Sequence, residues 1–295
     1  MNTSRYIIEA RHLSRTFGIR EAVTDVSFCV RRGEIFGLLG PNGAGKTTTI
    51  RMLTGQIDPS HGSASVAGFD VVRERTALKE CIGVVFEDQN LYERLSAKLN
   101  LEFFCWLYRL PKIRVDAVLN LVGLRERAKE PIRNFSSGMK QRIMVARALL
   151  HQPRVLFLDE PTRGLDPIAA RELRQTIATL SQEGITVLVT THLMEEADHL
   201  CQRVAFLANG RIVANDTPYN LKLAHGKRKL VVVLAADPPA DEGSSPFIER
   251  MLHIDSHADQ ALLVQWMSQG RIQSIHSCEA TLEEVFVSVA GVCLN

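Results

Sequence analysis

The sequence has no Cys-x-x-Cys pair and no long apolar segment. Its six cysteines are scattered, which argues against a zinc site or a disulfide framework and predicts reduced thiols in a cytosolic protein. The most apolar helical candidate, residues 99–110, is interrupted by Asn100, Glu102 and Arg109 and falls short of the roughly 18 apolar residues of a membrane span. No signal-peptide run follows Met1. We therefore expect a membrane role to be exercised only through a partner.

An excess of charge of one sign is also missing. The chain of 295 residues carries 35 Lys and Arg against 33 Asp and Glu, a net charge of +2, with no block of like charge. A nucleic-acid-binding tail would need such a block, so no nucleic-acid partner is expected. Hydrophobic residues make up 45% and charged residues 23%. These values are those of a globular protein and exclude a disordered chain.

Apolar, strand-like runs alternate with helical stretches over residues 1–216. This pattern predicts an α/β domain built on a mainly parallel sheet. Buried strands are expected at residues 34–39, 82–86, 154–158 and 185–190. Residues 6–10 and 23–30 predict a small antiparallel β layer, and Asn209-Gly210 predicts a hairpin with a type I′ turn. Residues of about 90–150 form a predicted helical subdomain, nearly all helix between 90 and 135.

The composition changes after residue 216, which predicts a separate accessory domain of small α+β type over residues 217–295. We expect a helix at 247–253 and strands at 261–266 and 271–276. A capping box, Thr281-x-x-Glu284, predicts the start of a final helix. No catalytic motif is found in this part of the chain, so the chemistry is expected in residues 1–216.

A phosphate-binding motif lies between a predicted strand and a predicted helix. The pattern G-x-x-x-x-G-K-[ST] is matched by Gly40-Pro41-Asn42-Gly43-Ala44-Gly45-Lys46-Thr47. The glycines allow backbone N–H groups to surround phosphate oxygens, and the helix start adds positive partial charge. Lys46 is expected to reach the β- and γ-phosphates and Thr47 to ligate Mg²⁺. With Thr48, this segment is the predicted ATP-binding loop.

Two carboxylates, Asp159 and Glu160, follow the apolar strand at 154–158. A buried strand can end in acidic residues for solvation alone, so the pair by itself is ambiguous. Beside a phosphate-binding loop, Asp159 becomes the expected Mg²⁺ partner, and Glu160 becomes the group that activates water. Together these motifs predict a nucleoside triphosphatase.

The order of further motifs narrows this prediction. Ser136-Ser137-Gly138 opens a predicted helix, where a serine N-cap would be the ordinary interpretation. Because of its place in the order of motifs along the chain, however, this segment resembles the signature motif, usually LSGGQ, of the ATP-binding subunits of ABC transporters. Gly164-Leu165-Asp166-Pro167 is similar to the D-loop of that family, with Asp166 at the matching position.

The same resemblance assigns three more positions. His192, at the end of a predicted strand, matches the switch histidine, although an isolated histidine there is usually structural. Phe17 matches the aromatic residue that stacks on adenine, with a core phenylalanine as the competing interpretation. Glu87 stands where the family usually has its Q-loop glutamine, and Gln89 follows two residues later. Glu87 is taken as a candidate ligand of ATP and Mg²⁺, and the choice between Glu87 and Gln89 stays open.

The resemblance implies a P-loop ABC ATPase fold and a mechanism. ATP with Mg²⁺ would lie on the loop of one subunit and be covered by the signature of a second, identical or closely related, subunit. Glu160 would be the general base, and His192 would hold the γ-phosphate and the water. A separate transmembrane permease would bind the chain peripherally at the cytoplasmic side of the cell membrane. Near the end of the chain, the segment Thr281-Leu-Glu-Glu-Val-Phe286 resembles the C-terminal part of the ATP-binding subunits of antibiotic- and multidrug-resistance exporters of type 2.

Two other function classes are weighed against this one. An ABC-type ATPase acting on ribosomes or DNA usually has two cassettes, a long coiled coil or a basic insertion, and this sequence has none of these. A nucleotide-dependent regulatory module without hydrolysis would not need Lys46, Asp159, Glu160 and His192 all intact. Co-purification with a membrane protein would separate the transporter hypothesis from both.

Overall fold

The computed structural model describes residues 5–87, 90–226, 229–235 and 247–291. The chain divides into two compact units, Met1–Thr217 and Pro218–Asn295. Gln89 and the segment 236–246 lie outside the described residues.

The first unit contains ten strands and seven helices in its described part. The strands are β1 (Tyr6–Phe17), β2 (Arg20–Arg31), β3 (Ile35–Leu39), β4 (His61–Val66), β5 (Phe69–Asp70), β6 (Ile82–Val85), β7 (Val155–Asp159), β8 (Thr186–Thr191), β9 (Arg203–Ala208) and β10 (Arg211–Asp216). The helices are α1 (Lys46–Leu53), α2 (Arg75–Cys81), α3 (Ala97–Leu107), α4 (Ile113–Leu121), α5 (Ser137–Ala148), α6 (Pro167–Gln182) and α7 (Met194–Leu200).

A six-stranded sheet forms the centre of this unit, in the order β10-β9-β3-β8-β7-β6. Strands β9, β3, β8, β7 and β6 pair in parallel, and only β10 is antiparallel. Every residue of β3, β7 and β8 is buried, which explains why these strands are continuous apolar runs in the sequence. The predicted mainly parallel sheet is confirmed.

A second, antiparallel sheet has the order β2-β1-β4-β5 and confirms the predicted small β layer. The predicted hairpin is present as β9 and β10, with Ala208 paired to Arg211. Asn209 and Gly210 have φ of 49° and 75°. Two consecutive left-handed residues are what a two-residue type I′ turn requires.

The helical region is more interrupted than the sequence predicts. Between residues 90 and 135, only α3, α4 and a short 3₁₀ turn at Ile132–Asn134 are helical. The buried amide of Asn100 accepts from the Tyr92 N–H (2.8 Å) and donates to the carbonyls of Tyr92 and Ser96 (both 3.0 Å). By pairing both the N–H and the carbonyl of Tyr92, this side chain satisfies backbone groups that lie outside a helix, and so it stabilises the loop before α3.

The second unit comprises α8 (Pro218–His225), β11 (Lys229–Ala235), β12 (Phe247–His253), α9 (His257–Ser268), β13 (Ile272–Cys278) and α10 (Leu282–Ala290). Its sheet has the order β12-β11-β13, all antiparallel. Two sequence predictions are wrong here. Residues 247–253 form a strand because they pair along their whole length with β11, and residues 261–266 lie inside α9.

Thr281 is the predicted N-cap of α10, and its hydroxyl accepts from the Glu284 N–H at 3.2 Å. The Glu284 carboxylate binds Lys229 Nζ at 2.5 Å. The predicted start of the final helix at Thr281 is confirmed.

No helix in the described part of the chain is long and apolar enough to cross a membrane. The five cysteines that the structure describes are free thiols. Burial raises the pKa of the Cys201 thiol to about 12, so this group is protonated and unreactive at neutral pH.

Candidate active site

A cleft of about 380 Å³ opens at the carboxyl ends of the parallel strands. Its lining combines the loop after β3, the start of α1, the N-terminal strands and the turns after β6 and β7. The lining residues are Phe17, Arg20, Ala22, Asn42, Gly43, Gly45, Lys46, Thr47, Thr48, Glu87, Glu160 and Arg163. This position is the usual ligand site of an open α/β sheet.

The loop between β3 and α1 passes close to neighbouring backbone. A Cβ on Gly45, whose φ is 108°, would lie 2.5 Å from the Ala22 carbonyl oxygen. A Cβ on Gly40 would lie 2.2 Å from the Leu207 carbonyl oxygen. Only glycine fits these two positions. The loop leads into α1 at Lys46, and the helix N terminus brings positive partial charge to the cleft.

The ammonium group of Lys46 is held at the cleft by three oxygens. Its Nζ donates to the carbonyls of Gly40 (2.7 Å) and Pro41 (3.2 Å) and lies 3.1 Å from Glu160 Oε1. The side chain is 6% exposed. A buried cation whose partners all belong to the loop and to Glu160 is preoriented for an anionic ligand.

Glu160 occupies the first position after β7 and has a positive φ of 50°. Its N–H donates to the Thr190 carbonyl at 3.0 Å, which ties the turn to β8. The carboxylate is 8% exposed, and its Oε2 lies 2.8 Å from His192 Nδ1. A carboxylate buried between Lys46 and an imidazole, on a strained backbone, has the character of a functional group.

Asp159 is the last residue of β7 and is 3% exposed. The Thr190 hydroxyl donates to its Oδ1 at 2.5 Å. No group of three or more His, Cys, Asp or Glu side chains that could hold a metal occurs among the described residues. Thr47 and Asp159 supply the hard oxygen donors that Mg²⁺ prefers, and this ion is commonly bound by one or two protein groups together with phosphate and water.

The signature and D-loop candidates do not line the cleft. Ser136 caps α5 and accepts from the Met139 N–H at 3.3 Å. Asp166 caps α6 and accepts from the N–H groups of Ile168 and Ala169. Both helices begin close together, since a Cβ on Gly138 would lie 2.4 Å from Ala169 Cβ. Ser136, Ser137, Gly138 and Asp166 thus form a second group of predicted site residues, separate from the first.

Phe17 and Glu87 lie on the cleft wall. The Phe17 ring is 47% exposed, and the Arg15 guanidinium lies 4.6 Å from its centroid. The Glu87 carboxylate is bound by the Arg163 guanidinium. Sequence reasoning missed Arg163, and nothing in the local sequence indicates that a residue 76 positions from Glu87 is its partner.

Comparisons with known proteins agree on one family. A family model described as ABC transporter matches residues 23–163. The chain is 41% identical over 270 residues to the fluoroquinolones export ATP-binding protein of Mycobacterium tuberculosis (strain CDC 1551 / Oshkosh), an alignment that covers 92% of this chain and 88% of the relative. It is 40% identical over 310 residues to the linearmycin resistance ATP-binding protein of Bacillus subtilis (strain 168), with coverage of 98% and 100%.

Solved structures give the same result. The chain superimposes on cbiO1 from Clostridium perfringens, part of the ABC transporter complex cbiONQ, with a TM-score of 0.70 and 29% identity. The match covers 76% of this chain and 93% of that one. An ATP-binding subunit of an ABC transporter, 31% identical, covers 75% of this chain and 93% of its own length with a TM-score of 0.66.

Proposed function

The chain belongs to the ABC transporter family, and from that premise we propose that it powers export through a separate transmembrane permease. Family membership confirms the resemblance seen in the motif order. The chain is thus an ATP-binding subunit of a transporter and an ATPase. The proposal extends to the roles of its residues, to its metal and to its partners.

The observation that carries the assignment is the carboxylate of Glu160, buried between Lys46 and His192 at the phosphate end of the cleft. Glu160 is the general base: it accepts a proton from water as the water attacks the γ-phosphorus. The bond to the β-phosphate breaks, and ADP and phosphate are formed. His192 orients Glu160 and the water, and Lys46 neutralises phosphate charge.

Residues 40–48 form the phosphate cradle, and Phe17 is the proposed stacking surface for the adenine base. Mg²⁺ would be held by the Thr47 hydroxyl and the Asp159 carboxylate, and when bound it neutralises charge on the phosphoryl oxygens. Glu87 remains a cleft residue, but its carboxylate binds Arg163, which makes direct metal ligation a poorer assignment for it.

A second ATPase subunit, identical or closely related, is needed to complete the site. The support is that Ser136, Ser137, Gly138 and Asp166 lie together at the starts of α5 and α6 but outside the cleft lining. In a two-fold dimer these helix N termini can meet the nucleotide of the other subunit, where they would stabilise phosphate charge.

Export of drug-like compounds is the proposed transport activity. The support is the function for which two relatives are named, fluoroquinolone export and linearmycin resistance, at 41% and 40% identity. The chain would be bound to the permease at the cytoplasmic side of the membrane. The test is affinity purification from detergent-solubilised membranes: a co-purifying protein with several apolar spans supports the transporter assignment, whereas ribosomal proteins or DNA would favour the other ATPase classes.

We expect the second unit to be dispensable for nucleotide binding. A chain ending at Asn220 keeps the whole cleft lining, because every lining residue belongs to Met1–Thr217. Its affinity for ATP, measured by calorimetry, should stay within about threefold of the full chain, a change below about 1 kcal/mol. A folded truncated chain that has lost ATP binding would show that the domain boundary is misplaced.

A further inference from the structure

An ion pair joins two turns at the edge of the cleft. Glu87 follows β6, Arg163 follows β7, and these two strands are parallel neighbours in the sheet. The Arg163 guanidinium binds the Glu87 carboxylate, and both residues line the cleft together with Lys46. The side chains are 48% and 52% exposed, so the pair lies in contact with solvent at the cleft wall.

A lone carboxylate at this place would oppose the function of the cleft. ATP brings several negative charges to Lys46 and Thr47, and an unpaired Glu87 carboxylate would repel them. Because the Glu87 side chain is only partly exposed, solvent would screen this repulsion only in part. The bound guanidinium of Arg163 removes this repulsion, since the pair as a unit carries no net charge. A guanidinium suits this task because its planar donors fit a carboxylate and it stays protonated.

Arg163 is also connected to the proposed base. Its backbone N–H donates to the Glu160 carbonyl at 3.2 Å and closes the turn that follows Glu160. Binding of Glu87 by Arg163 therefore links the turn that carries Glu160 to the segment after β6. The two residues of the pair are 76 positions apart in the chain.

We propose that Arg163 is a positioning residue of the nucleotide site, which holds the Glu87 carboxylate at the cleft wall and cancels its charge toward the phosphates. This inference rests on the proposed ATP site and adds to it a residue pair that tunes nucleotide affinity. Glu87 then acts through its partner Arg163 and not as a ligand of Mg²⁺.

The test uses the full chain and ATP affinity by isothermal titration calorimetry, in EDTA and in Mg²⁺. Arg163→Gln leaves Glu87 unpaired and should weaken ATP binding about fivefold, while Glu87→Gln leaves an unpaired cation and should strengthen it by a similar factor. The double variant should return close to the wild-type affinity. Arg163→Lys, which keeps the charge, should stay closer to wild type than Arg163→Gln, and high salt should reduce every shift.

The matched control is Arg75→Gln. It breaks an ion pair with Asp58 that is similarly exposed and does not line the cleft, so the affinity of this variant for ATP should equal that of the wild type. The inference would be refuted if ATP affinity did not change in Arg163→Gln and Glu87→Gln, or if it changed in the same direction in both. An effect of Glu87→Gln in Mg²⁺ that disappears in EDTA would also refute it, because Glu87 would then act through the metal. An unmodified chain that binds no ATP would instead refute the proposed function, and this inference with it.

Discussion

Glu160→Gln is expected to bind ATP normally and to lose about 10²- to 10⁴-fold of the ATPase rate. Glutamine keeps the shape of the side chain and a carbonyl oxygen, but it cannot accept the proton of the attacking water. Ground-state binding should change little, because Lys46 keeps its bonds to the carbonyls of Gly40 and Pro41. The measurement is steady-state phosphate release together with ATP affinity by calorimetry.

The same variant tests the proposed dimer. ATP that is bound but not hydrolysed should hold two subunits together, so Glu160→Gln should elute as a dimer with ATP and Mg²⁺ and as a monomer without them. The control is Glu183→Gln, an exposed residue at the end of α6 that is absent from the cleft lining. Normal turnover by Glu160→Gln would move the base to another group.

The phosphate end of the site could be predicted from sequence because its residues are close along the chain. Gly40 to Lys46 form one continuous turn, and the structure gives the reason for two of its glycines in the approach of Ala22 and Leu207. The strands beside it are buried on both faces and therefore appear as unbroken apolar runs. Here the local sequence and the tertiary environment favour the same structure, so the sequence pattern is enough to predict the loop and its strands.

The sequence predictions were wrong where pairing with a distant segment determines the secondary structure. Residues 247–253, Phe-Ile-Glu-Arg-Met-Leu-His, contain good helix formers, yet they are a strand because β11 supplies their backbone hydrogen bonds. Residues 261–266 are apolar except for Gln265, and the segment is short enough to be a strand or part of a helix. The Ser256 hydroxyl accepts from the Asp259 N–H and marks the start of the helix that contains them. Arg163 was missed for a related reason, since its partner comes from a distant segment.

Lys46→Ala is expected to abolish measurable ATP binding and turnover. Each charge-assisted hydrogen bond to a phosphate oxygen contributes about 1.5–3 kcal/mol, so losing two of them weakens binding by about 10²-fold or more. Lys79→Ala, which removes an exposed lysine of α2 that does not line the cleft, serves as the control. Wild-type affinity in Lys46→Ala would overturn the assignment of residues 40–48 as the phosphate cradle.

Lys46→Ala is also expected to destabilise the fold, and this effect must be separated from the loss of ATP binding. Lys46 lies 3.1 Å from Glu160 Oε1, and both side chains are more than nine-tenths buried. Removing the lysine leaves a buried carboxylate without its cation, which costs about 3–5 kcal/mol of unfolding free energy. Thermal unfolding should therefore show a lower Tm for Lys46→Ala. The double variant Lys46→Ala/Glu160→Gln no longer buries that charge, so it should recover most of the Tm and still fail to bind ATP. Recovery of ATP binding along with the Tm would mean that Lys46 acts on the nucleotide only by stabilising the fold.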